Sequence, residues 1–165
     1  MPVESGANHR GVGDRFLVTK TDLEGNLTYT NDFFQEVSGY SEEELIGSPH
    51  NMVRHPDMPK SIFKFFWQLL QSDEEFWGYV KNSSKTGEHY WVLAHVIPSY
   101  SASGQKIGYH SNRRLAGNQA IEVMESLYSR IRNAESGGGI AAGEAYLKNV
   151  LNEKGGSYNE YVFSI

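Results

Sequence analysis

Ser48 to Trp67, SPHNMVRHPDMPKSIFKFFW, constrains this chain more than any other stretch: two His, one Arg, one Asp and three Pro run into an aromatic-rich apolar segment. Each proline fixes φ and removes a backbone donor, so the polar residues sit on a rigid, irregular connection. From Ile62 the apolar residues Phe63, Phe66, Trp67, Leu69 and Leu70 fall on one helical stripe. Asp57 is the natural N-cap for that helix, with Pro59 in its first turn. His50, Asn51, Arg54, His55 and Asp57 therefore converge near a helix N-terminus. A guanidinium, imidazoles and free backbone donors in one place receive an anionic group such as a pyrophosphate. The same residues would serve equally for a local Arg54–Asp57 pair with both imidazoles solvated.

A chain of 165 residues holds one domain and at most an appendage, with enough length to bury a core. A net charge of −5 argues against a nucleic-acid surface. No run has the length of a membrane span and no secretory leader opens the sequence, so a cytoplasmic location is expected. Cysteine is absent, which removes disulfides, thiolate metal sites, thiol nucleophiles and any photochemistry ending in a cysteinyl–flavin adduct.

Three regions follow from composition. Residues 1–13 are small, polar and Gly-rich, a mobile lead-in with His9 and Arg10 solvated. Residues 14–116 form the main domain. Strands are expected over Phe16–Thr21 and Leu27–Thr30, then a helix from Asn31 as N-cap to Gly39, and a short helix opened by the Ser41–Glu44 capping box. After the central stretch and its helix, strands are expected over Phe76–Asn82, His89–Ile97 (stopped by Pro98) and Lys106–Leu115. Two groups of strands bracketing helices give an α+β domain, one antiparallel sheet with helices over one face and a pocket between them. Residues 117–165 carry two helices, marked by Met124, Leu127 and Ile131 and by Leu147, Val150 and Leu151, separated by Ser136–Gly139. These helices either cap the domain or dimerise and relay a signal, and the tail from Ser157 packs back or is presented to a receptor.

From about Thr21 to Arg114 the chain resembles a PAS domain, specifically the flavin-binding PAS sensor of bacterial aerotaxis receptors. The resemblance is carried by Thr21-Asp22-Leu23, Val37-Ser38-Gly39-Tyr40, the block Pro49–Pro59, Val80-Lys81-Asn82 and His89-Tyr90-Trp91-Val92. It implies a five-stranded antiparallel sheet and a non-covalently held FAD that reports redox or oxygen state without substrate turnover. Asn31, Arg54, His55 and Asp57 match positions that family needs to retain flavin, with His50 and Asn51 in the same block. Asn82 matches the asparagine that light-sensing relatives place against the isoalloxazine edge. Trp67 and Trp77 are candidates for walling the ring or adenine, Trp67 more readily as plain core.

Alternation in His89–Ile97 turns Tyr90, Val92, Ala94 and Val96 inward and leaves Trp91, Leu93, His95 and Ile97 as an outer apolar patch. That patch calls for a cover: the helix after Gly117, a second subunit making a homodimer, or a signalling partner of chemoreceptor type. In the last strand His110 and Asn112 are assigned to the pocket side, His110 near the glutamine of light-sensing relatives. The family's receptors continue into a membrane anchor and a coiled-coil signalling domain, so a chain stopping at Ile165 is either a stand-alone sensor or a fragment. The alternatives are a haem-binding gas sensor with His95 or His110 as axial ligand, a small flavin oxidoreductase, and a cofactor-free interaction domain.

Overall fold

The computed structural model describes residues 15–165, and the expected lead-in over 1–13 lies outside them. The chain runs β1 (Leu17–Thr21), β2 (Leu27–Thr30), α1 (Asp32–Ser38), α2 (Glu42–Leu45), a 3-10 turn (His50–Val53), α3 (Lys60–Gln71), β3 (Phe76–Ser83), β4 (His89–Tyr100), β5 (Lys106–Leu115), α4 (Asn118–Lys154) and α5 (Tyr158–Phe163). The five strands form one antiparallel sheet in the order β2-β1-β5-β4-β3. Helices α1–α3 lie over its inner face, as the pattern of strands and helices required.

Local chemistry sets most boundaries. Asn31 caps α1 through Phe34 N–H, and Gly39 ends it at φ 75°. Ser41 and Glu44 close the expected capping box on α2. The expected stop at Pro98 is corrected: β4 continues to Tyr100. Pairing with β3 ends at Phe76–Val96, so at Pro98 the strand has a free edge where a missing donor breaks no ladder. Gly108 in β5 has a different necessity, because a Cβ there would run into the carbonyl oxygen of Thr21 on β1.

Asp57 does not cap α3. Pro59 holds the cap position without a side-chain bond, and the free donors find a partner in the distant helix α4. Glu135 accepts from Lys60 N at 3.2 Å, Ser61 N at 2.7 Å and Ser61 Oγ at 2.6 Å. A carboxylate at a helix N-terminus meets both the orphan amides and the positive end of the dipole.

Helix α4 breaks at Gly139, whose φ of 71° only glycine adopts without strain, four residues after that cap. Its first half crosses the outer face, where Tyr128 stacks on Trp91 at 5.9 Å. Its second half runs along α3, with Lys64 paired to Glu144. The tail folds into α5 against β3: Tyr158 stacks on Phe76, meets Phe65 edge-on, and shares a 2.8 Å bond with Tyr128, which donates to Tyr79 O. The outer patch is thus covered within the chain. Trp91 and Leu93 are buried, His95 lies against Trp77, and Ile97 is the one of the four left exposed.

Candidate functional site

Between the inner sheet face and the segment from Pro49 to Leu70 lies a cavity of about 250 Å³. The register that fixes the sheet also fixes its walls. Thr19 pairs with Ser111, Ser111 with Val96, and Ala94 with Arg113, which puts all five side chains on one face. Helix α3 supplies Phe63, Phe66, Trp67 and Leu70 opposite them, and Trp67 meets Tyr109 edge-on at 5.4 Å. The wall divides into an aromatic, apolar part and a polar part built from Thr19, His50, Arg54, Asn82, Ser111 and Arg113.

The polar part carries donors and positive charge with little to oppose them. Arg113 is 7% exposed, donates from Nε to Ser111 Oγ at 2.9 Å, and makes no ion pair among the described residues. Burial pushes its pKa down to about 10. The Arg54 guanidinium lies 3.3 Å over the Phe63 ring, burial lowers its pKa, and its Nε has no hydrogen-bond partner. Asn82 Nδ2 is likewise buried without a partner. Its register partner Tyr90 lies close enough to feel the amide, yet the two meet short of hydrogen-bond geometry and the Tyr90 hydroxyl is also unpartnered. Glu24, the one carboxylate among the lining residues, is exposed.

His50 is held neutral. Burial first, then the charges of Arg113 and Arg54, push its pKa well below the usual imidazole value, and its Nε2 lies 3.0 Å from Thr19 Oγ1. The basic end therefore presents two arginines, an amide donor and a neutral imidazole to whatever enters. Each buried donor left unmade costs about 1–3 kcal/mol, so such a wall is built to meet acceptors.

Of the ten candidates named from sequence, His50, Asn51, Arg54, Trp67 and Asn82 line this cavity. The other five stand elsewhere. Asn31 accepts from Val18 N and Phe34 N and donates to Phe16 O, pinning β1 to α1. His55 Nδ1 accepts from Asp57 N–H, and Asp57 pairs with Lys81 at 3.0 Å and with Arg132 at 3.6 Å. That cluster faces α4, and the expected Arg54–Asp57 pair does not form. Trp77 stacks on His95 at 3.9 Å on the outer face, and His95 Nε2 lies 2.7 Å from Glu75. His110 also faces outward, beside Asn112 at 3.2 Å and opposite Lys20 and Ile97. Neither histidine offered as a haem ligand reaches the cavity.

The residues missed were Thr19, Ser111 and Arg113. Their placement follows from the β4–β5 register, which the sequence does not print: with Val96 inward, its partner Ser111 is inward, and with it Tyr109 and Arg113.

The PAS fold family matches residues 27–113. Over 140 residues the chain is 41% identical to the aerotaxis receptor of Escherichia coli (strain K12), covering 85% of this chain and 28% of the receptor. It is 28% identical over 133 residues to the nitrogen fixation regulatory protein of Klebsiella pneumoniae, covering 81% of this chain and 25% of that protein. The chain thus spans about a quarter of the length of each. Among solved structures, the PAS domain of a protein from Colwellia psychrerythraea superposes with a TM-score of 0.56 at 25% identity, covering 61% of this chain and 86% of that one. The LOV domain of a blue-light activated histidine kinase from Erythrobacter litoralis EL346 shares the fold, with a TM-score of 0.57 at 18% identity over 62% of this chain and 97% of that one. A five-stranded antiparallel sheet, a cavity beneath its helices and this match across more than half the length lead to one assignment: the chain belongs to the PAS family.

Proposed function

We propose that this PAS domain is a redox sensor that holds FAD non-covalently and signals to a chemoreceptor-type partner, as an aerotaxis-like module without substrate turnover. The observation that carries this reading is the surplus of buried donors at one end of an aromatic-walled cavity: among the described residues Arg54 Nε and Asn82 Nδ2 lack partners, and Arg113 lacks a counter-charge. A flavin fits that wall, since it combines a flat apolar ring, an edge rich in carbonyl and ring-nitrogen acceptors, and phosphates. The cavity of about 250 Å³ suits the ring and leaves the rest of a dinucleotide to the open side, where Asn51 and Glu24 are exposed. When bound, the flavin would supply reversible electron transfer. Arg54 and Asn82 would hold and orient the ring, His50 would stay a neutral donor–acceptor, and Trp67 would help exclude water.

The 41% identity to a protein named an aerotaxis receptor supports the signalling half of the reading. Among the described residues no helix is long and apolar enough to cross a membrane, and no cluster of three metal-ligating side chains is present. The route outward is short. Arg54 bridges Asn82 in backbone pairing, and one residue further His55 N–H donates to Lys81 O, on the strand that α4 and α5 grip. A change at the ring edge would therefore bear directly on the helices carrying the output.

An absorbance spectrum of freshly purified protein, before and after anaerobic dithionite, tests the proposal. Flavin bands that bleach on reduction, with FAD released by denaturation, are the expected result. Colourless protein that takes up no added FAD overturns it, and a Soret band would move the chemistry to haem.

A further inference from the structure

The cavity contains a charge that the fold itself does not use. Arg113 sits on β5, in the middle of the sheet, between Leu17 of β1 and Ala94 of β4. It occupies a core position by alternation, in a row whose other members are apolar. A buried arginine with a structural role pairs with a carboxylate or stitches backbone carbonyls together. Arg113 does neither among the described residues, its single bond being to the Ser111 hydroxyl. The neighbouring groups do not offset it: Arg54 is also cationic, His50 is neutral or cationic and never a counter-anion, and Glu24 stands at the exposed rim. An uncompensated buried guanidinium destabilises the empty domain. The small Ala94 beside it leaves room on the cavity side.

Resting on the flavin reading of this cavity, we propose that Arg113 sets the redox preference of the site by receiving negative charge that the bound ring gains on reduction. A two-electron reductant of the quinol or dihydronicotinamide class (dithionite in the assay) delivers two electrons to the neutral oxidised ring. N5 takes one proton from solvent, and the remaining unit of negative charge spreads over the N1–C2 carbonyl edge, with Arg113 staying protonated throughout. A wall with a standing positive charge and no internal anion binds the reduced, anionic ring more tightly than the neutral oxidised one. By linkage that preference is a raised midpoint potential. Arg113 is then a specificity residue for oxidation state, while Arg54 and Asn82 hold the ring in both states.

The test uses the full chain as wild type, Arg113→Gln and Arg113→Lys. Affinities for oxidised and reduced flavin are read anaerobically by fluorescence quenching, and midpoints by dithionite titration against a reference dye. Arg113→Gln is expected to lose at least about tenfold in the reduced-to-oxidised affinity ratio, about 30 mV in a two-electron midpoint, and Arg113→Lys to restore most of it. Flavin-free Arg113→Gln is expected to melt no lower than wild type, since it removes an uncompensated buried charge. An unmoved midpoint with flavin still bound overturns the inference, as does equal loss of both oxidation states. A lower apo melting temperature with an unmoved midpoint would assign Arg113 to the scaffold instead. Wild-type protein that binds flavin in neither state would be a different failure, sinking the cofactor reading and this inference together.

Discussion

Two charged clusters stand back to back across β3, built from residues adjacent in sequence. On the inner side Arg54 and Asn82 face the cavity with Arg113; on the outer side Asp57 and Lys81 face α4 with Glu125 and Arg132. The outer cluster is closed: Lys81 Nζ reaches Asp57 at 3.0 Å and Glu125 at 3.1 Å, and Arg132 reaches both the carboxylate and the carbonyl oxygen of Asp57. The inner cluster is open, with donors and charges that find no complement among the described residues. Closed clusters hold elements together, and open ones await something. The contrast also places the block from Pro49 to Pro59 in two roles: His50, Asn51 and Arg54 look into the cavity, while His55 and Asp57 fasten the loop to β3 and α4.

Breaking the closed cluster should give the largest effect. Lys81→Ala removes the cation shared by two carboxylates, which also lies over the Trp91 ring at 5.9 Å. Both carboxylates are about half exposed, so the full penalty of a buried pair is discounted, leaving an expected loss of about 2–3 kcal/mol. Denaturant unfolding checks this, with the flavin midpoint expected to stay put. Arg54→Ala should do the opposite. Its expected mark is a roughly 10–100-fold weaker flavin affinity, from loss of a charged donor, with stability within about 1 kcal/mol of wild type. Titration with FAD alongside a thermal melt separates the two, and the contrast fails if Arg54→Ala loses stability while binding as before.

How much of this was legible depended on whether the deciding contact was local. The Asn31 cap and the Ser41 capping box rest on neighbours within four residues and the five strands on their local residue patterns, and these were read correctly apart from the stop of β4 at Pro98. The faces of β4 were also legible, because Tyr90, Val92, Ala94 and Val96 alternate with a second apolar set in a long run. In β5 the alternation is polar on both sides, Tyr109-His110-Ser111-Asn112-Arg113, so period two gave no preference and His110 was placed inward. An arginine on the core face also runs against the usual burial pattern, which hid Arg113. The cap on α3 was out of reach of local reasoning altogether, since Asp57 looks like one and Glu135 lies more than seventy residues away.

That distant cap gives the next prediction. Glu135→Ala leaves Lys60 N, Ser61 N and Ser61 Oγ without their acceptor, and should destabilise the domain by about 1–2 kcal/mol, with Glu135→Gln recovering part because an amide oxygen still accepts. The loss should show first as hydrogen exchange at the start of α3 and beyond Gly139, where α4 turns onto it. Uniform exchange across the sheet instead would mean that Glu135 is only one more surface carboxylate.

The smallest effect separates the two clusters by pH. His50 has its pKa depressed in the folded chain, by burial and then by Arg113 and Arg54, against an ordinary value of 6.5. Below pH 6.5 the unfolded chain binds a proton there that the folded chain refuses, so stability is full above that pH and falls as pH drops. One proton is worth at most about 1.4 kcal/mol per pH unit, giving an expected loss of about 1 kcal/mol between roughly pH 6.5 and 5.5. His55 is depressed too, chiefly by burial and then by Lys81, and adds to the same limb. Asp57 behaves otherwise: the Lys81 hydrogen bond holds its carboxyl below the ordinary 3.8, so its stabilisation is present above that value and is lost only as pH falls further. Stability measured in 0.1-unit steps of pH should therefore show two acid limbs, the upper one from His50 with a share from His55 and the lower from Asp57. His50→Gln, which keeps a partner for Thr19, should shrink the upper limb to the His55 share and leave the lower unchanged. Loss of the lower limb in that variant would mean that the two sides of β3 are one electrostatic unit rather than two.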